Sequence, residues 1–198
     1  MTPLERVHWP VSTERLVLRP ARLEDEAAVF AFRRLPQVHE WITRAPLIVA
    51  DFHGLWVDPA RLATTLVVEH DARVIGDLMV SVQDAWGQAE ATEPTAGVQA
   101  ELGWVLDPAY AGRGLGTEAV VALLGVCFET LGLRRVVAQC FADNTASWRL
   151  MERVGMRREA HTVRDSLHRS GRWLDGLSYA VLAQEWRDTG HEHRVSVR

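Results

Sequence analysis

The feature that most constrains the fold is an alternating strand that runs through a glycine-rich turn into a helix. In Gln99-Ala-Glu-Leu-Gly-Trp-Val-Leu106 the period of two puts Glu101, Gly103 and Val105 on one face and Leu102, Trp104 and Leu106 on the other. Asp107-Pro108 ends the strand. Gly112-Arg-Gly-Leu-Gly116 then opens a segment in which Val120, Leu123, Leu124, Cys127, Phe128 and Leu131 recur at helical spacing up to Gly132. The first amides of such a helix have no intrahelical acceptor, so they point at whatever lies above the turn. They form an anion cradle, although the same glycines also suit a plain turn. The run is not the dinucleotide fingerprint, whose third glycine would fall at Thr117, and no Gly-Lys-Ser/Thr follows to make a P-loop.

Around this unit the chain reads as one α/β domain over residues 14–186, with a loosely held lead-in over 1–13 and a polar tail over 187–198. Residues 14–19 alternate and stop at Pro20. Residues 23–35 read as a helix, acidic in its first turn (Glu24, Asp25, Glu26) and basic in its last (Arg33, Arg34), as the helix dipole favours. One or two short helices are expected over 37–59, and strands over 62–70 and 74–82, followed by a polar loop over 86–97. Past the long helix come a strand over 135–141, a helix capped by Asn144 and stopped at Gly155, and a terminal hairpin of strands 156–168 and 172–183 around Ser170-Gly171.

Composition excludes several functions. All 22 basic residues are arginine, so no P-loop lysine, Schiff base or lysine nucleophile can take part. A net charge of -4 argues against a non-specific nucleic-acid binder. Cys127 and Cys140 sit in apolar runs without metal spacing, as reduced core thiols that suit a cytoplasmic protein. No apolar leader and no stretch of about 18 apolar residues is present, so neither standard export nor membrane insertion is expected. His191 and His193, two residues apart in the tail, are weak metal ligands, and no metal is expected. Trp41, Trp56 and Trp86 fall in irregular segments and are candidate pocket walls. Between Arg73 and Arg113 there is no basic residue but six acids (Asp77, Asp84, Glu90, Glu93, Glu101, Asp107), whereas residues 113–172 hold ten arginines against six acids. The two stretches are either solvated faces or surfaces for a cation and an anion.

Five ordered blocks carry a family resemblance: ERLVLRP (14–20), VIGDLMV (74–80), ELGWVLDPAYAGRGLGTEAV (101–120), NTASWRLMERVGM (144–156) and SGRWLDGLSYAVL (170–182). In this order they resemble the GNAT superfamily of acyl-CoA-dependent N-acyltransferases, most closely its ribosomal-protein N-terminal acetyltransferase-like branch, over almost the whole chain. The family loop Gln/Arg-x-x-Gly-x-Gly/Ala maps onto Ala111-Gly-Arg-Gly-Leu-Gly116. The resemblance implies a single α/β domain with a mixed, mainly antiparallel sheet of about seven strands and helices on both faces. The site would lie where strands 101–106 and 135–141 diverge.

It further implies transfer of an acetyl group from acetyl-CoA to a primary amine, such as a peptide N-terminus or a small cationic amine, by direct attack in a ternary complex. The alternative is a non-catalytic acyl-CoA-binding or sensing protein. The backbone of Trp104, Val105 and Leu106 would pair with pantetheine, and amides from Gly112, Arg113, Gly114, Leu115, Gly116 and Thr117 would hold the pyrophosphate, with Arg113 the best-placed side chain and Arg149 or Arg153 as helpers. Asn144 matches an asparagine that contacts pantetheine, a role compatible with capping its helix. Ser147 matches a serine close to the thioester sulfur; a satisfied core hydroxyl is its other reading. Glu101 is the candidate base through water, and an amide near Val105 would hold the oxyanion. Three positions depart from relatives: Ala111 replaces the polar residue that opens the loop, Met151 a general-acid tyrosine, and Gln139 a basic glutamate. No nucleic-acid or membrane partner is expected, and a homodimer stays open.

Overall fold

The computed structural model describes residues 2–44, 47–91, 93–188 and 196–197. In chain order it forms β1 (Val11–Ser12), β2 (Val17–Pro20), α1 (Glu26–Arg33), α2 (Pro36–His39), α3 (Val49–Trp56), α4 (Pro59–Leu62), β3 (Thr65–His70), β4 (Arg73–Gln83) and β5 (Gln99–Leu106). There follow α5 (Leu115–Gly125), β6 (Arg135–Phe141), α6 (Thr145–Arg153), β7 (Arg157–Leu167), β8 (Trp173–Leu182), α7 (Ala183–Asp188) and β9 (Ser196–Val197). The strands make one sheet in the order β7-β8-β6-β5-β4-β3-β2-β1-β9, in which only β5 and β6 are parallel neighbours.

Alternation along the strands divides the core into two layers. One face carries Leu66, Leu78, Leu102, Val136 and Ala138 under α5 and α6. The other carries Val67 and Val105 under α1 and α3, where Phe30, Phe52 and Trp56 stack in series with centroid separations of 5.2 and 5.7 Å. Each layer buries large side chains completely, the main source of stability in a domain of this size.

Among the described residues the sheet has nine strands rather than about seven, because two-residue strands at either end of the chain, β1 and β9, pair with each other beside β2. Residues 2–13 are not loosely held: Leu4, Val7 and Val11 are buried in the first core layer. Leu4 and Val7 are brought to one side by a single 3₁₀ turn, Pro3–Arg6, too short to register as a period in the sequence. The strand expected over 62–70 begins only at Thr65, since Asp58 accepts the Ala60 amide at 2.9 Å and caps α4. Past Gly125 the long helix widens into a π turn, Val126–Thr130, before Gly132 at φ 66°. Most of the tail expected over 187–198, His191 and His193 included, lies outside the described residues. No helix among the described residues is long and apolar enough to cross a membrane.

Candidate active site

β5 pairs with β4 from Gly76↔Leu106 to Gln83↔Gln99, but its pairing with β6 is confined to Gln99↔Arg135, Ala100↔Val136 and Glu101↔Val137. Beyond Glu101 the two strands part, and the edge of residues 102–106 that faces β6 has no strand beside it. A cavity of about 840 Å³ fills the gap, lined by residues 102–106 on one side and by Gln139 and Cys140 of β6 on the other. Trp104, Val105 and Leu106 therefore present main-chain groups along the wall of a cavity.

At one end of this cavity stands the turn into α5. Gly112 (φ 73°) and Gly114 (φ 77°) adopt left-handed backbone that side chains oppose. At Gly116 the reason is space: a Cβ there would lie 3.3 Å from Leu150 and 3.5 Å from Leu106. The first intrahelical bond is Glu118 N–H to Gly114 O at 3.1 Å, so the amides of Leu115, Gly116 and Thr117 have no carbonyl within the helix. Gly112, Gly114 and these three residues line the cavity. The turn is anchored from below by Glu118, whose carboxylate accepts from Thr13 Oγ1 at 2.5 Å and Arg15 Nε at 2.7 Å. Burial works against the Glu118 charge, but these bonds prevail and hold its carboxyl below the usual range. Arg15 Nη1 in turn donates to the Arg113 carbonyl at 3.0 Å.

The Arg113 side chain is directed elsewhere. Its guanidinium lies 5.6 Å from the Tyr110 ring centroid and meets His70 Nε2 at 3.2 Å, and Arg113 is not part of the cavity lining. Arg149 and Arg153, which the sequence ranked as helpers, do line it, and Arg153 Nη1 donates to Thr117 Oγ1 at 3.2 Å. Unpaired amides, the positive end of the α5 dipole and two guanidinium groups from α6 thus share one end of the cavity.

Asn144 and Ser147 line the middle. Asn144 Oδ1 accepts the Ser147 amide at 3.2 Å, which is the N-cap of α6. Ser147 adjoins Cys140, whose thiol is pushed up to about 11 by burial, with the Ser147 hydroxyl pulling the other way. Cys127, fully buried, is pushed up to about 12. Both thiols are therefore neutral at physiological pH and are expected to resist an aromatic disulfide reagent in the native protein at pH 7.5, then react together in denaturant. Fast labelling of Cys140 in the native state would contradict this.

Met151 is 0% exposed and belongs to the core rather than the cavity. Glu101 is half-buried on β5 beside Ser81 and Val137, at the point where the strands part, and stands outside the lining. Among the described residues the one carboxylate in the lining is Asp107, which accepts the Ala109 amide at 2.9 Å and shapes the turn after β5.

The opposite end is walled by Gln37, Trp41 and Ile42. Trp41 packs against Phe141 and His168 at 6.2 and 5.8 Å, and His168 Nε2 donates to the Glu40 carbonyl at 2.9 Å, tying the segment after α2 to the end of the β7–β8 hairpin. Trp56 is buried in the core and Trp86 is 94% exposed, so of the three candidate tryptophans only Trp41 reaches the cavity. The acidic stretch is also not a free field: Asp77 is taken by Arg33, Asp84 by the Gly97 amide and Asp107 by its turn. Sequence reasoning missed Gln37, Ile42 and Cys140 as cavity residues, because only the β5–β6 divergence brings them together. Among the described residues no cluster of three or more His, Cys, Asp or Glu could hold a metal ion.

Known proteins resemble this chain in sequence and fold. Residues 15–157 match the family model described as an acetyltransferase (GNAT) domain. The uncharacterized N-acetyltransferase YnaD of Bacillus subtilis is 37% identical over 86 residues, covering 43% of this chain and 50% of that protein, so the match spans half of the relative's length. The crystal structure of a GNAT-family acetyltransferase from Bacillus anthracis superposes with a TM-score of 0.75 at 26% identity, covering 89% of this chain and 99% of that one. Mycobacterium smegmatis RimJ, solved in complex with CoA-disulfide, has the same fold, with a TM-score of 0.72 at 23% identity over 98% of this chain and 99% of that one. A family model spanning most of the chain, together with strands that part beside an amide-lined helix start, places this protein in the GNAT acetyltransferase family.

Proposed function

We propose that the protein transfers an acetyl group from acetyl-CoA to a primary amine, of a peptide N-terminus or a small molecule, in a ternary complex. The observation that carries this reading is the continuity of the cavity, which joins a cradle for anions, an unpaired strand edge and a separate aromatic-walled end. The pyrophosphate would sit on the amides of residues 112–117, the Arg113 amide included, with Arg149 and Arg153 beside it. The pantetheine arm would pair with the edge of Trp104, Val105 and Leu106, near Asn144.

In the chemical step the amine nitrogen attacks the thioester carbonyl carbon, the C–S bond breaks, the sulfur takes up a proton and the nitrogen releases one. An amide near Val105 would receive the developing oxyanion, and the Ser147 hydroxyl would donate toward sulfur. Glu101 would accept the amine proton through water, since it lies outside the lining. On this reading Glu101→Gln lowers kcat at neutral pH by about 10²-fold with little change in the KM for acetyl-CoA. An unchanged kcat would move the role to solvent or Gln139.

The lack of a free carboxylate in the lining supports one other reading, an acyl-CoA-binding protein without turnover. Release of CoA thiol, corrected for hydrolysis and measured against a panel of peptides, amino acids, polyamines and aminoglycosides, separates the two. Amine-dependent release supports the transferase. Tight acetyl-CoA binding with no such release for any amine supports the binding protein.

A further inference from the structure

The end of the cavity away from α5 is walled by one short segment. Gln37 and Val38 come from α2, and Trp41 and Ile42 from the turn that follows. Val38 is buried and Ile42 packs on the core layer under α1 and α3, so the wall is rooted in the interior. The β7–β8 turn clamps it from outside. Besides the His168 bond to the Glu40 carbonyl, Arg169 Nη2 donates to the Ile42 carbonyl, and its Nη1 meets His39 Nε2 at 3.2 Å. The main chain on both sides of Trp41 is thereby held by two side chains of one turn, and the wall's chemistry is a fixed property of the site.

That chemistry is uncharged. Among the described residues the lining has three charged side chains, Asp107, Arg149 and Arg153, and each belongs to the turn after β5 or to α6. None comes from the α2 segment or from β6. On β6, Gln139 stands two residues before Phe141 and so on the same face as the ring that Trp41 packs against. The polar side chains at this end are thus the carboxamides of Gln37 and Gln139. Two carboxylates of β4 and β5 share that sheet face, in rows flanking Gly103, and neither is available to a second cation. Asp77, in the row of Val105, is closed off by Arg33, and in the proposed chemistry the charge of Glu101 serves the reacting nitrogen.

An ammonium or carboxylate that leaves water for this end would find no opposite charge in the wall. An apolar group, in contrast, gains by the area it buries against Trp41 and Ile42. We propose that the amine acceptor is a monoamine whose body is uncharged and apolar, packed on Trp41 and Ile42 with the Gln37 and Gln139 carboxamides as neutral partners. An alkyl- or arylalkylamine has this chemistry, and so does a peptide that opens with apolar residues. Polyamines, aminoglycosides and free amino acids do not. The inference rests on the transferase reading, and its test separates the two.

Hexylamine, cadaverine and δ-aminovalerate have nearly the same length and differ at the far end, which is methyl, ammonium or carboxylate. Measured by amine-dependent CoA release, the wild type is expected to favour hexylamine over both by at least about 10-fold in kcat/KM, the least that one unpaired buried charge should cost. Gln37 is exposed on its outer side, so Gln37→Glu sets a carboxylate in the wall without disturbing the fold. It should raise the use of cadaverine about 10-fold, the size of one charge-assisted hydrogen bond, and leave the KM for acetyl-CoA as it was. Equal or better use of cadaverine or δ-aminovalerate by the wild type, or a preference that Gln37→Glu does not move, would overturn the proposal. Phenylethylamine and the amidated dipeptide of phenylalanine and alanine then distinguish a small amine from a peptide as the source of the same chemistry. If no amine releases CoA, the three amines are titrated calorimetrically into CoA-saturated protein. A preference for hexylamine there would sustain the uncharged end and overturn the transferase reading instead; binding of none would overturn both.

Discussion

Replacing Arg149 and Arg153 together by alanine is expected to weaken CoA binding by about 10³-fold, the size of two charge-assisted bonds to phosphate. Both residues line the cavity beside the α5 amides, and both are exposed at the surface of α6. Their removal therefore leaves no buried group stranded, and the melting temperature should move little. The loss should also depend on salt, falling as ionic strength rises and screens the wild-type attraction. Calorimetry with CoA and with dephospho-CoA assigns the contacts. If the arginines hold the pyrophosphate, the double variant loses the same factor for both ligands; if they hold the 3′-phosphate, its loss for dephospho-CoA is much smaller. An affinity within threefold of wild type would leave the backbone amides as the whole phosphate site. Arg113→Ala is the contrasting case, since its side chain serves Tyr110 and His70 and its amide is untouched by the substitution.

The second large effect is on stability. Asp77→Ala is expected to cost about 3–5 kcal/mol, because it strands the guanidinium of Arg33, itself only 13% exposed, without the carboxylate that holds it. Urea unfolding checks this through the midpoint at constant m-value. The double substitution Arg33→Met, Asp77→Leu removes both charges and should recover most of the loss, since a buried ion pair adds little over well-packed apolar side chains. A loss below 1 kcal/mol for Asp77→Ala would mean that water reaches Arg33. The two predictions probe separate parts of the molecule: one concerns binding without folding, the other folding without contact with CoA.

What the sequence made legible was local. The alternation of residues 99–106, the glycines before α5 and the cap at Asn144 each depend on neighbours within a turn or two, and each stands in the structure where its pattern puts it. The divergence of two strands after Glu101 followed from the family resemblance and not from periodicity. Long-range placements were not legible. Arg33 and Asp77 are 44 residues apart, and nothing in either segment marks them as partners. The acidic stretch before Arg113 reads in the sequence as either a solvated face or a surface for a cation, and three of its members are in fact spent on internal bonds. The direction of the Arg113 side chain was likewise set by His70 and Tyr110, which belong to other segments. Glu101 was placed near the reacting centre by strand register alone, which fixes its row but not its distance from the cavity.

The parting of β5 from β6 has a consequence for the protein without its ligand. Residues 102–106 form an edge in the middle of a nine-stranded sheet, with main-chain donors and acceptors left open in the way that invites other chains to add. A pantetheine arm lying in the gap would act as the missing strand and close that edge. Amide hydrogens along this edge should then exchange faster than those on the β4 side, and slow when CoA is added. If CoA binds there as proposed, the protein stripped of it would be the form most prone to self-association, and CoA supply would govern its solubility.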